Sequence, residues 1–146
     1  MLTLAILKPD AVRARVTGKI LAHLEQEGFA VRAARLVRLT TAQAEAFYAV
    51  HRDRPFFRSL VTFMTSGVAL ALALERSDAV ARLREVIGAT DPAEAAPGTV
   101  RKLYAASKER NVIHASDSVE NAAREVAFFF AEGELAELAR GRDESG

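Results

Sequence analysis

The chain alternates short apolar runs with longer segments in which apolar and polar positions follow a helical period. Its first run, LTLAIL at residues 2–7, is continuous and closed by Lys-Pro-Asp, a pattern typical of a strand that is buried on both faces. Residues 18–28 space isoleucine and leucine at helical intervals and finish at a glycine, which predicts a glycine-capped helix. Residues 29–39, FAVRAARLVRL, indicate a long second strand whose register shifts midway.

The middle of the chain predicts two helices and a third strand. Thr40 or Thr41 can cap a helix through AQAEAFYAVH, and RPFFRSLVTFM begins another helix with Pro55 near its first turn. The run SGVALALALE at residues 66–75 is typical of a third buried strand. Both helices therefore fall between the second and third strands.

The next segment combines a helix with a long connection. Ser77 or Asp78 can start a helix that stops at Gly88. Residues 89–110 are then rich in alanine, proline and turn formers. A loop of that length in a compact domain is usually functional.

A short strand and a helix complete the expected core. NVIH at residues 111–114 predicts a brief fourth strand, and Asp117 followed by Glu120 has the spacing of a capping box. The apolar side chains expected to share one face of the following helix are Val119, Ala122, Ala123, Val126, Phe129 and Phe130. The resulting order, β-α-β-α-α-β-α-β-α, predicts an α/β sandwich.

Composition and charge narrow the class of protein. The 20 basic and 19 acidic side chains leave a formal charge of +1, which argues against bulk binding to nucleic acid or membranes. The absence of cysteine rules out disulfides and cysteine-based zinc sites and suits a reducing compartment. The opening apolar run meets a lysine too early for a signal peptide or a membrane span, so we expect a cytoplasmic protein. We assign residues 1–138 to one domain and residues 139–146 to a flexible tail.

The three histidines differ in their surroundings. His23 falls within a helix and His51 within a charged run, and neither has ligand spacing to another histidine, so both are expected to be structural or solvated. His114 ends a strand and precedes a helix start, where an anion would be stabilised. Glu125 borders the buried stripe of that helix and could fix one imidazole nitrogen while the other attacks a phosphate. The alternative is a plain cap region followed by an ordinary border glutamate.

A second set of residues could bind phosphate. Arg84, Thr90 and Arg101 could converge on a polyphosphate, because guanidinium groups match phosphate oxygens. A solvated helix face is the alternative. Lys8 leaves the end of a buried strand, where α/β sheets often bind ligands. Phe56 offers a surface for stacking a base, although a Phe-Phe pair at a helix start is more often part of a core.

The order of several short motifs resembles the nucleoside diphosphate kinase family. The motifs are LAILKPDAV, GKI, FYAVHRDRPFF, FMTSG, GATDPAEAAPGT and NVIHASDSVENAAREVAFFF, and they extend from residue 2 to residue 130. The resemblance implies a ferredoxin-like βαββαβ sandwich, in which helices cover a four-stranded antiparallel sheet. It also implies ping-pong transfer of the γ-phosphate from a nucleoside triphosphate to a nucleoside diphosphate.

The resemblance further implies roles for individual residues. The catalytic ones would be His114 as the phosphorylated histidine, Glu125 as its orienting carboxylate, Ser116 as the hydroxyl beside them and Tyr48 as the tyrosine beside the histidine. The nucleotide-binding ones would be Lys8, Arg84, Thr90 and Arg101 on the phosphates, Asn111 on the ribose and Phe56 under the base. Mg²⁺ would be bound mainly through the nucleotide phosphates, with no direct protein ligand. A homo-oligomer, a tetramer or hexamer built from dimers, is also implied.

The chain departs from the family pattern beside the histidine. Ala115 stands where the family usually has glycine, and a positive φ angle there would cost about 1 kcal/mol. Two other classes of protein remain to be separated from the enzyme. A non-catalytic nucleotide-binding module has no physical need for His114 with Glu125, and an RNA binder of the same fold would want a basic sheet face with exposed aromatic side chains.

Overall fold

The computed structural model describes the backbone of residues 1–145 and the side chains of residues 1–140. Its four strands are β1 (Leu2–Leu7), β2 (Ala30–Val37), β3 (Ala69–Glu75) and β4 (Ile113–Ala115). Its helices are α1 (Pro9–Arg13), α2 (Thr17–Gln26), α3 (Thr41–Phe47), α4 (Phe57–Met64), α5 (Ala79–Ile87), α6 (Val100–Tyr104), α7 (Val119–Phe129) and α8 (Glu132–Ser145), with a 3₁₀ turn at Ala49–His51. Among the described residues, no helix is long and apolar enough to cross a membrane.

The four strands form one antiparallel sheet in the order β2-β3-β1-β4. With α2 between β1 and β2 and α5 between β3 and β4, this is the ferredoxin-like arrangement, so the expected fold class is confirmed. The register shift expected in the second strand lies between Val31 and Ala33. β2 is the last strand on one side of the sheet.

Strand β1 is buried on both faces because its alternating side chains join two apolar layers. Leu4 and Ile6 belong to the layer formed with α3, α4 and α7, whereas Ala5 and Leu7 belong to the layer formed with α2 and α5. Each fully buried leucine or isoleucine stabilises the fold by roughly 1.5–3 kcal/mol. The continuous apolar run thus holds both helix layers to the sheet and leaves the next residue, Lys8, at the sheet's end.

Local signals set several helix ends as expected. Thr40 caps α3 in a capping box with Gln43, the two reciprocal hydrogen bonds measuring 2.9 and 3.1 Å. Helix α5 stops at Gly88, which has φ +89°, and a Cβ atom there would lie 2.6 Å from Thr99 Oγ1. Only glycine fits that backbone and that contact.

Some expectations about the helices were wrong. Ser118, not Asp117, caps α7 by accepting a 3.1 Å hydrogen bond from the backbone N–H of Asn121, so there is no capping box with Glu120. Val119 is exposed, and so is another member of the expected apolar face, Ala123. The buried face of α7 consists of Ala122, Glu125, Val126 and Phe129.

Three helices had no counterpart in the expected order. Helix α1 begins at Pro9, which therefore both ends β1 and occupies a first-turn helix position. Helix α6 lies within the long segment expected to be a loop, and α8 follows α7. Most of the predicted tail, residues 141–146, lies outside the part of the chain whose side chains are described, so that assignment stays a prediction.

Candidate active site

A cleft of about 550 Å³ opens at the end of the sheet where β1 and β4 lie side by side. Residues of α3, α4 and the turn between them line the cleft, together with several residues between positions 84 and 111. The first residues of α7 complete the wall. The long segment between α5 and β4 is therefore a wall of the cleft, which gives it the functional position that its length predicted.

His114 lies in β4 and lines the cleft. Its Nε2 atom is 2.7 Å from Oε1 of Glu125, and the same oxygen accepts a 2.8 Å hydrogen bond from Ser116 Oγ. The carboxylate is buried, so these two bonds fix its position. With Glu125 as acceptor, the proton sits on Nε2 and the lone pair of Nδ1 is free.

The environment of His114 favours a neutral imidazole. Burial lowers its pKa below the ordinary value, and the charges of Lys8 and Arg101 act in the same direction. The hydrogen bond and negative charge of Glu125 oppose this shift without reversing it. A neutral ring at physiological pH is the form that can act as a nucleophile.

Two aromatic side chains pack against the imidazole. The ring of Phe47 is 5.2 Å from that of His114 between centroids at an interplanar angle of 70°, and Tyr48 is at 5.8 Å and 85°. Both are buried. The hydroxyl of Tyr48 has no hydrogen-bond partner among the described residues although it is buried, and burial raises its pKa. A buried hydroxyl beside a cleft is expected to find its partner in a ligand.

The backbone just before His114 is held in an unusual conformation. Val112 has φ +64°, which is costly for a β-branched residue, and the N–H of Ile113 donates to the carbonyl of Asn111 at 2.8 Å, which makes a γ-turn. Two contacts from the start of the chain impose this turn: the N–H of Lys8 donates to Val112 O at 2.8 Å, and the N–H of Val112 donates to Asp10 Oδ2 at 3.1 Å. Ala115 has no positive φ angle, so the strain considered for that position is absent.

Lys8 and Asn111 are joined inside the cleft. Lys8 Nζ donates a 2.8 Å hydrogen bond to Asn111 Oδ1, and Asn111 Nδ2 donates to the carbonyl of Thr90 at 3.3 Å. Burial, assisted by the charge of Arg101, lowers the pKa of Lys8 to about 8. The lysine is therefore still mostly charged at neutral pH. Because burial destabilises this charge, an anion that binds beside it would be favoured.

Two arginines extend the positive charge. Arg101 is buried and fixed by its Nη1 and Nη2 atoms, which donate to the carbonyls of Gly88 at 3.1 Å and Ile113 at 2.7 Å. Burial and the neighbouring Arg84 lower its pKa to about 10, so it remains charged at neutral pH. Arg84 is exposed on α5 and lines the same cleft. Of the two arginines, Arg101 is thus held in place by hydrogen bonds inside the cleft, and Arg84 is exposed to solvent.

The rim carries an exposed aromatic ring. Phe56 is 48% exposed, lines the cleft and packs against His51 with ring centroids 5.5 Å apart. An exposed phenylalanine at a cleft mouth is suited to stacking on a nucleobase, since every base presents a π face. The alternative that Phe56 belongs to the core is wrong, whereas Phe57 is part of it.

The structure brings the sequence-predicted residues together. The nine that line the cleft are Lys8, Tyr48, Phe56, Arg84, Thr90, Arg101, Asn111, His114 and Glu125. Ser116 lies buried behind them, on Glu125. Sequence reasoning missed Phe47 as a neighbour of His114, and it took Asp117 for a helix cap. Asp117 instead lines the cleft and accepts a 2.7 Å hydrogen bond from Asn121, which lowers its pKa.

A neutral imidazole in a cleft lined by fixed cations is an arrangement suited to phosphoryl transfer, so the fold and cleft together indicate a phosphotransferase. A family model described as nucleoside diphosphate kinase matches residues 2–135. A nucleoside diphosphate kinase of Sorangium cellulosum is 58% identical over 92% of this chain and 93% of its own length. One from Chlorobium chlorochromatii is 59% identical over 91% and 95%, respectively.

Solved structures agree with the sequence relatives. A crystal structure of the Aquifex aeolicus nucleoside diphosphate kinase has a TM-score of 0.89 at 48% identity, over 91% of this chain and 96% of the other. A halophilic nucleoside diphosphate kinase from Halobacterium salinarum, in complex with CDP, has a TM-score of 0.87 at 38% identity, over 92% and 90%. The chain belongs to the nucleoside diphosphate kinase family and has that family's phosphotransferase activity.

Proposed function

We propose that the enzyme transfers phosphate between nucleotides in two half-reactions, through a phosphohistidine at His114. The observation that carries this proposal is the hydrogen bond between Nε2 of His114 and Glu125, because it leaves Nδ1 as the free nitrogen in a cationic cleft. A protein that only binds nucleotides has no use for a buried carboxylate bonded to this imidazole.

In the first half-reaction, Nδ1 of neutral His114 forms a bond to the γ-phosphorus of a nucleoside triphosphate, and the bond from phosphorus to the β–γ bridging oxygen breaks. The nucleoside diphosphate leaves with the electron pair of that bond. The imidazole gains positive charge as it forms the N–P bond, and Glu125 stabilises that charge at Nε2. In the second half-reaction, the terminal oxygen of another nucleoside diphosphate attacks the phosphorus, and His114 leaves as the neutral ring.

The cationic side chains act on the phosphate oxygens. Lys8 and Arg101 lie close enough to His114 to affect its pKa, and Arg84 lies close enough to Arg101 to affect that of the guanidinium. These charges would stabilise the oxygens as negative charge shifts between donor, phosphoryl group and acceptor. The buried hydroxyl of Tyr48, which has no hydrogen-bond partner within the described part of the chain, would donate to one of them. Asn111 would contact the ribose and Phe56 the base, so base identity should matter little.

Mg²⁺ fits this cleft as a companion of the nucleotide. No group of three or more acidic, histidine or cysteine side chains suited to a metal occurs among the described residues, while ionised Asp117 lines the cleft near Arg84. Such surroundings would suit an ion held mainly by phosphate oxygens and water, with the carboxylate of Asp117 as a nearby negative charge. When bound, the ion supplies charge neutralisation. The absence of a direct protein ligand stays a prediction.

The labelling of the enzyme by its donor tests the proposal. Incubation with γ-labelled ATP and Mg²⁺ should give an acid-labile, base-stable phosphoprotein that is discharged by any nucleoside diphosphate. His114→Ala should abolish the label and retain affinity for ADP. His23→Ala, which changes a histidine on α2 outside the cleft lining, is the control and should label normally. Turnover by His114→Ala at the parent rate would refute the mechanism.

We also propose that the enzyme is a homo-oligomer whose first contact is made by β2. This strand is the last in the sheet order, and Leu36 on it is 66% exposed. An exposed edge strand with an apolar side chain is a template for pairing with a second copy. Light scattering of the parent and of Leu36→Arg tests this dimer. The higher assembly and the cytoplasmic location stay predictions.

A further inference from the structure

Phe47 stands out among the residues around the nucleophile that the proposed mechanism does not use. It is the last residue of α3, is 1% exposed and also lines the cleft. Its ring contacts four others edge-on or tilted: His114, Tyr48, Phe128 and Phe129, at centroid distances of 5.2, 4.9, 5.3 and 5.3 Å. The imidazole is thus one member of a packed aromatic cluster with Phe47 at its centre.

One hydrogen bond does not fix an imidazole completely. The bond from Nε2 of His114 to Glu125 sets the position of one atom, but the outer torsion of a histidine has broad minima, so the ring can still turn about that contact. A phenyl ring packed against the imidazole in an edge-type contact, 5.2 Å away between centroids and at an interplanar angle of 70°, restricts this turning. The direction of Nδ1 therefore depends on Phe47 as well as on Glu125.

We propose that Phe47 is a positioning residue for phosphoryl transfer, which holds the plane of the His114 imidazole and excludes water from one side of the ring. The inference rests on the proposed role of His114 as nucleophile. A displacement of the attacking atom by about 1 Å can cost on the order of 100-fold in rate, so restricting the ring has a kinetic consequence.

The charged and titratable groups around His114 come from several elements. They are Glu125 on α7, Tyr48 after α3, Lys8 after β1 and Arg101 on α6. Substitution of Phe47 by leucine changes none of them. A changed pKa of His114 in that variant would therefore report altered solvation of the ring.

The test compares Phe47→Leu with Phe63→Leu. Phe63 lies on α4, is buried in the same apolar layer and is not among the residues that line the cleft, so its substitution gives a similar loss of packing without touching His114. Three quantities are needed: the single-turnover rate of phosphorylation by ATP with Mg²⁺ as a function of pH, the affinity for ADP by calorimetry, and the titration of the His114 ring by ¹⁵N NMR. Phe47→Met replaces Phe47→Leu where the latter does not fold.

We expect Phe47→Leu to lower the plateau rate by about tenfold and to leave the ADP affinity within about twofold of the parent. Its His114 should titrate at a higher pH than in the parent, because water that reaches the ring relieves its desolvation. Phe63→Leu should show neither change. Equal rate profiles and equal titrations for the two variants would overturn the role of Phe47. Failure of the parent enzyme to label at His114 would instead overturn the proposed function, so the two failures are distinguishable.

Discussion

Replacement of Glu125 by glutamine isolates the charge behind the nucleophile. Glu125 is 5% exposed, and its Oε1 atom accepts from both His114 and Ser116, at 2.7 and 2.8 Å. Glutamine keeps the shape and a carbonyl acceptor at this point. A hydrogen bond to a charged group contributes about 1.5–3 kcal/mol, against about 0.5–1.5 for a neutral pair. The loss of about 1–2 kcal/mol in the transition state predicts a plateau phosphorylation rate about 5- to 30-fold lower.

The pH dependence of Glu125→Gln gives a sharper test than the rate alone. Burial lowers the pKa of His114, and the bond and charge of Glu125 oppose that shift. Glutamine removes the opposing charge, so the pKa of His114 falls further. Since the neutral ring is the nucleophile, the acid limb of the rate profile should move to lower pH. The phosphorylation rate of Glu125→Gln, relative to the parent, should therefore fall least at acid pH and most on the plateau.

Single-turnover phosphorylation across the acid limb and the plateau measures both effects. Ser116→Ala is the matched control, because it removes the other hydrogen bond to Glu125 Oε1 and keeps the charge. That control should move the acid limb much less. If Glu125→Gln had the same plateau rate and the same midpoint of the acid limb as the parent, the carboxylate charge would have no part in the reaction.

Three further predictions concern the cleft and its frame. Lys8 has a pKa of about 8 and loses its charge above that pH. The affinity for ADP, measured by calorimetry, should therefore weaken by up to about tenfold per pH unit above about pH 8. The Lys8→Met variant should lack this pH dependence. Phe56→Ala should weaken the binding of all nucleotides by about 1–3 kcal/mol. Its free energy of unfolding in urea should change by less than about 1 kcal/mol, because this ring is half exposed. Gly88→Ala should lower the free energy of unfolding by more than the roughly 1 kcal/mol expected for Gly98→Ala. Both glycines have a positive φ angle, but only at Gly88 would the added Cβ atom meet Thr99. Equal urea midpoints for the two variants would refute this.

Periodic apolar signals predicted the elements of the core. The apolar runs at β1 and β3 and the glycine stop of α5 depend on local sequence, so each could be assigned without tertiary information. The missed helices lack such signals. Helix α1 is only five residues long, and α8 is held by Arg35, which donates to Glu134 at 2.8 Å and contacts the ring of Phe130. Because Arg35 and Glu134 lie 99 residues apart in the sequence, their contact produces no periodic pattern that could predict α8.

Within the site, residue types were predictable but backbone geometry was not. His114 and Glu125 were singled out as a histidine expected at a strand end and a glutamate at a helix border, although His114 lies in the middle of β4 and does not end a strand. The capping residue of α7 was misassigned by one position, because Asp117 and Ser118 both suit a cap and only the contacts with Asn121 decide between them. The positive φ of Val112 opposes its own propensity and arises from bonds made by the first residues of the chain.

Two opposing effects meet at His114, and a double variant separates them. Aromatic packing by Phe47 keeps water away and lowers the pKa, whereas Glu125 raises it. The double variant Phe47→Leu, Glu125→Gln should therefore titrate at a pH between those of the two single variants, since the two shifts have opposite signs. Its phosphorylation rate should nevertheless be lower than that of both, because neither the direction of Nδ1 nor the charge at Nε2 is restored. ¹⁵N NMR titration and single-turnover rates of all four proteins give the cycle. Recovery of the rate together with the pKa would mean that basicity alone sets the rate, and that orientation of the ring contributes nothing.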